Sequence, residues 1–99
     1  MAESTIPRRS IIHIYKDKTV TIGISATQVA FNYSVPNDYS VVCASIYHSN
    51  SIDVVGGMES FSNTEAFGFY NRASGSISTV FHISAIAIPN ELLNSISVS

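Results

Sequence analysis

Three histidines, His13, His48 and His82, and one cysteine, Cys43, are the side chains best suited to metal binding, proton transfer or nucleophilic attack. No two histidines have the His-x-x-x-His spacing of a helical zinc site, and a single thiol supports neither a Cys-rich metal site nor an internal disulfide. His13 and His82 lie inside alternating segments, where an exposed or hydrogen-bonded strand residue is the expected role. Cys43 stands among Val41, Val42, Ala44 and Ile46 and reads as a small buried hydrophobe. The carboxylates Asp17, Asp38, Asp53, Glu59, Glu65 and Glu91 are scattered through turn-like segments without a paired spacing. There is no G-x-S-x-G elbow and no S-x-x-K pattern. Gly56-Gly57 lacks the lysine and following helix of a phosphate-cradling loop. The expectation is therefore a protein that is not an enzyme, with no cofactor and no metal.

The aromatic residues point elsewhere. Tyr33, Tyr39, Tyr47 and Tyr70 fall near strand ends, close to Asn32, Asn37, Asn50, Asn63 and Asn71. Tyrosine presents an apolar ring and a polar tip, which suits it to sugar stacking and to protein interfaces. Capping the rim of the core is the simplest role for any one of them. His48, ending a strand beside Tyr47 and Asn50, is the histidine best placed for a ligand. The candidate ligand-binding residues are Tyr47, His48, Asn50, Asp53, Tyr70, Asn71 and Arg72.

The elements that must position these groups are legible in composition and rhythm. With 99 residues there is room for one domain and one modest core. Ile, Val and Thr total 28 and Ser 17, whereas Leu occurs only as Leu92 and Leu93. β-Branched side chains suit a pleated, half-buried surface, so the chain reads as all-β. Candidate strands are Ser10–Tyr15, Thr19–Ile24, Val29–Val35, Tyr39–His48, Ile52–Val55, Ala66–Asn71 and Ile77–Ile88. Lys16-Asp17-Lys18 reads as a charged turn, Pro36-Asn37-Asp38 as a second turn and Arg72–Ser76 as a hairpin loop using Gly75. Gly56-Gly57 permits a bulge or bend, and Glu91–Asn94 a helical turn. Tyr39–His48, densely apolar, is expected to be covered on both faces, by the opposing sheet and by a neighbouring subunit. The spacing favours an antiparallel β-sandwich of six to seven short strands.

Net charge is −2 with 12% charged residues, which excludes the basic stripe of a nucleic-acid binder. No stretch has the length needed for membrane insertion as a helix, and residues 1–9 lack the apolar segment of a signal peptide. Without disulfides, a small sandwich is expected to gain stability by self-association.

The order of segments also resembles the C-terminal domains of phage tail fibres and related tail proteins, and the similar H-type lectin domain. The matching elements are Thr19–Ala26, Val29–Pro36, Val41–Tyr47, Phe67–Asn71, Ala73–Ser76 and Ser84–Ile88, the last closing on Ile-Ala-Ile. The tryptophan common just before that motif is Ala85 here, so no sugar site is carried over residue by residue. The resemblance implies a six-stranded sandwich over residues 19–88, with 1–18 an arm or extra strand and 89–99 a tail. It further implies a homotrimer in the virion, made in the host cytoplasm, that binds a host cell-surface glycan or protein. A virion assembly or capsid protein with only protein partners, and a free sugar-binding lectin, are the alternatives.

Overall fold

The computed structural model describes residues 10–49 and 53–95. It contains six strands, β1 (Ile12–Ile22), β2 (Thr27–Asn32), β3 (Tyr39–His48), β4 (Val54–Phe61), β5 (Glu65–Arg72) and β6 (Ile77–Pro89), followed by a short helix α1 (Asn90–Ser95). They form two antiparallel three-stranded sheets with strand orders β1-β6-β3 and β2-β5-β4. The chain is an all-β, sandwich-like domain, with both sheets left open at their edges.

Alternation along β6 builds the first half of the core. Phe81, Ile83, Ala85 and Ala87 are all buried and face inward. From the second sheet, Val29, Phe31, Ala66 and Tyr70 meet them, and the Tyr70 and Phe81 rings pack at 4.8 Å between centroids. Each Val, Ile or Phe of this row taken out of water contributes on the order of 2 kcal/mol and each Ala less, so the row outweighs any surface contact described below.

The expected turn at Lys16-Asp17-Lys18 is not formed. Residues 12–22 are one continuous strand paired along its whole length with β6, from Ile12–Ala87 to Ile22–Ile77. Lysine has a long apolar stem and can reach past the edge of the core. The Lys18 ammonium sits 5.1 Å from the centre of the Phe31 ring, and the Lys16 ammonium donates to the carbonyl of Asn32. Both lysines therefore bridge the two sheets at an open edge, and their charge does not end the strand.

Cys43 is exposed, contrary to its apolar neighbourhood in sequence. β3 carries a bulge between Val41 and Cys43: Val41 pairs with Ala87, and Cys43 with the very next residue, Ile86. One extra residue reverses the facing of everything after it. Val41 points inward, Cys43 outward, and the inward row resumes at Ala44 and Ile46. The outward side chains Val42 and Tyr47 are exposed, so within one chain the opposing sheet covers only the inward face of the strand.

Other connections follow the sequence in part: β5 and β6 belong to different sheets, so Arg72–Ser76 crosses between the sheets and is not the expected hairpin loop. The amide of Tyr39 donates to the carbonyl of Pro36 at 2.9 Å, closing the Pro-Asn-Asp turn, and Gly75 adopts φ 68° in the β5–β6 loop. Gly56 and Gly57 lie within β4, and the bulge falls just beyond them, between Met58 and Ser60.

Here β4 and β5 approach too closely for side chains. A Cβ on Gly68 would stand 2.3 Å from the Gly57 carbonyl oxygen, and one on Gly56, at φ +135°, would stand 2.1 Å from that of Phe69. Gly57 faces open space. Gly68→Ala is accordingly expected to cost about 2–4 kcal/mol and lower the melting temperature by about 10 °C or more, whereas Gly57→Ala leaves it nearly unchanged. Thermal unfolding of both variants by circular dichroism checks the contrast, and equal melting temperatures would contradict the close approach.

Candidate functional site

On the outer face of the β1-β6-β3 sheet, three cross-strand neighbours form a row. His82 of β6 pairs with Asp17 of β1 on one side and with Tyr47 of β3 on the other. Tyr15 lies two residues before Asp17 on the same outward face. A groove of about 270 Å³ runs over this row, lined by Tyr15, Lys16, Asp17, Tyr47, His82 and Ile83. Its two tyrosines are unusually open for aromatic residues, Tyr15 at 68% and Tyr47 at 48% exposure.

The imidazole of His82 is held on three sides. Tyr47 stacks against it at 5.0 Å with the planes 21° apart. Nε2 lies 2.7 Å from the Ser49 hydroxyl oxygen, and Nδ1 lies 4.0 Å from the Asp17 carboxylate. The tautomer with its proton on Nδ1 suits both polar contacts, since Nε2 then accepts the hydroxyl hydrogen of Ser49. Ser49 is itself fixed: its amide donates to the Val80 carbonyl at 3.1 Å, and its carbonyl accepts from the Thr79 hydroxyl at 2.8 Å.

Ser49, His82 and Asp17 share the residue types of a nucleophilic triad. The carboxylate stands 4.0 Å from Nδ1, beyond the about 2.6–3.2 Å of a formed catalytic hydrogen bond. The Ser49 amide is also engaged by Val80 and is not free to hold an oxyanion. The arrangement orients a ring. What it offers a ligand is two aromatic surfaces, a carboxylate and a fixed imidazole along one trough, a set that can stack on a saccharide ring and hydrogen-bond its hydroxyls.

Of the six described residues singled out in sequence, only Tyr47 lies in this groove. His48 faces inward, with its ring 5.5 Å from Phe81 and edge-on to Tyr70 at 6.1 Å. Tyr70 is buried at 2% exposure. Arg72, two residues on and on the same inward face, donates from Nη2 to the Asp53 carboxylate. Asn71 alternates to the opposite face of β5. Asn50 falls outside the described residues. Tyr15, Asp17, Ser49 and His82 are not among those candidates. Asp17 reads as part of a turn in the sequence, and only the register of three strands brings these four together.

The remaining tyrosines serve structure. Tyr33 donates its hydroxyl to the Ser62 carbonyl at 2.8 Å, and Tyr39 to that of Ser10 at 2.9 Å. Among the described residues no three metal-ligating groups come together, and no helix is long and apolar enough to cross a membrane.

Fold and groove together define a small all-β sandwich-like domain with an aromatic-walled polar trough on one outer sheet face. No family model, curated protein or solved structure matches this chain.

Burial raises the pKa of both Tyr33 and Tyr70 above the ordinary 10.0; for Tyr33 the Ser62 hydrogen bond opposes the rise and the Glu65 charge adds to it. The folded state thus holds these phenolic protons more tightly than the unfolded chain. Their contribution is fully present below pH 10 and is lost as pH climbs through the raised folded values. Urea titrations from pH 8 to 11.5 should show stability falling only above about pH 10, less steeply in Tyr70→Phe. A flat profile in the native chain would contradict these burials.

Proposed function

We propose that the chain is a non-enzymatic attachment module of the phage tail-fibre kind, a homo-oligomer, most simply a trimer, that recognises a host cell-surface glycan. The observation that carries this reading is the trough of Tyr15, Asp17, Tyr47 and His82. Its aromatic walls are exposed at the cost of unburied apolar area, which a purely structural sheet face has no reason to retain. Aromatic surface combined with a few fixed polar groups is the usual make-up of a site for an uncharged polyhydroxylated ligand.

Self-association finds support on the other sheet. Phe69 at 42% and Val55 at 57% exposure present apolar surface there, and Phe67 and Phe69 pack edge-to-face at 5.9 Å. A domain this small gains stability by covering such a face with another copy. The same apolar face favours, as a second reading, a virion assembly protein whose partners are all proteins.

Screening on a glycan array followed by calorimetry separates the two readings. The expected result is a saturable glycan ligand whose affinity falls about tenfold or more in Tyr47→Ala and in Asp17→Asn, with melting temperature little changed. Light scattering should give the mass of more than one chain, three for the trimer. An array without hits, together with an unchanged oligomer, would leave the assembly reading and exclude the glycan-binding one.

A further inference from the structure

The inward end of the sandwich beyond Phe81 holds a chemical anomaly. His48 Nδ1, the Tyr70 hydroxyl and Arg72 Nε are buried and lack any hydrogen-bond partner, and no other side-chain nitrogen or oxygen among the described residues shares that condition. Buried polar atoms in folded proteins are almost always paired, and one left unpaired forfeits the hydrogen bonds that water would have given it. The three do not lie at scattered places. His48 closes β3, its ring meets Tyr70 edge-on at 6.1 Å, and Tyr70 and Arg72 follow one another on the inward face of β5.

All three can donate. Arg72 Nε–H is donor only, and the phenol of Tyr70 stays protonated at neutral pH, the more so because burial raises its pKa. The imidazole carries a hydrogen on Nδ1 in one neutral tautomer and in the charged form. A group that accepts from several directions fits such a set, and an oxyanion does so better than a hydroxyl or an amide. Arg72 keeps one arm on Asp53, whose side chain is 51% exposed, while its own is 15% exposed, so the guanidinium is held through Nη2 and its Nε–H stays unpaired.

We infer that this end of the sandwich is an oxyanion subsite, in which His48, Tyr70 and Arg72 hold a carboxylate, sulfate or phosphate group. It lies on the opposite face of the first sheet from the trough and stands independently of the function proposed above. The chemistry is common to free anions and to acidic sugars such as uronic acids, and the arms of the test distinguish them.

The purified chain is titrated with acetate, sulfate, phosphate and glucuronate at constant ionic strength, with chloride as baseline. Melting temperature and the ring-proton NMR signals of His48 are followed. Saturable stabilisation and a shift of the His48 signals are expected for at least one oxyanion. Tighter binding of glucuronate than of acetate identifies an acidic sugar, and equal or weaker binding identifies a free anion. Arg72→Gln should abolish the response, and Tyr70→Phe, which removes an unpaired hydroxyl and keeps the ring, should weaken it about fivefold while folding at least as well. Asp53→Asn removes a competing negative charge and should strengthen binding severalfold. If melting temperature follows ionic strength alone in all four series, or if Tyr70→Phe and Asp53→Asn bind as the native chain does, the site holds only ordered water and the inference fails.

Discussion

One extra residue in β3 sets the chemical layout of the whole molecule. Strand side chains alternate strictly, so the inward row that begins at Val41 would continue, without interruption, through Cys43, Ser45 and Tyr47. That register would bury a serine and a tyrosine hydroxyl against Ile83 and Phe81. The bulge between Val41 and Cys43 reverses it, and Ala44, Ile46 and His48 face the core instead. Cys43, Ser45 and Tyr47 are turned outward beside Ile86, Ser84 and His82. Both the aromatic trough and the inward polar end exist because of this reversal. The constraint comes from β6, whose alternating Phe81, Ile83, Ala85 and Ala87 are buried and cannot be re-faced without losing the core.

Much of the fold was legible because it rests on that same alternation. The Ile77–Ile88 alternation marked β6 as a strand, and Pro36-Asn37-Asp38 and Gly75 marked their turns through local backbone chemistry. The failures share one cause, which is that non-local pairing overrides local character. Lys16-Asp17-Lys18 reads as a turn by charge alone, yet β6 supplies partners across it and β2 supplies a ring and a carbonyl for the lysine heads. Cys43 reads as buried because four of its neighbours are apolar, and no composition reveals a bulge whose cause is the register of a strand some forty residues away.

The candidate site was legible only in residue type. Tyrosine, histidine and arginine near strand ends are the residue types singled out there, and of these the His48 ring packs edge-on to Tyr70. Tyr47 belongs to a different surface, although it adjoins His48 in the chain. Its partners Asp17 and His82 come from the first and last strands, and their meeting depends on a register that no short window of sequence contains.

Adjacent residues on β3 and β6 place the two polar regions back to back. Tyr47 and His82 stack on the outer face, while His48 and Phe81, their immediate neighbours, pack on the inner one. A shift of either strand moves both pairs at once, because the backbone they share is hydrogen-bonded along the same rungs. The inner side is the stiffer of the two. Phe81 is wholly buried against Tyr70, so the row beneath the trough is anchored to the second sheet through two aromatic rings. The outer side has only stacking and two polar contacts to hold His82. The core therefore fixes where the trough lies, and the His82 imidazole is oriented within it by Tyr47, Ser49 and Asp17.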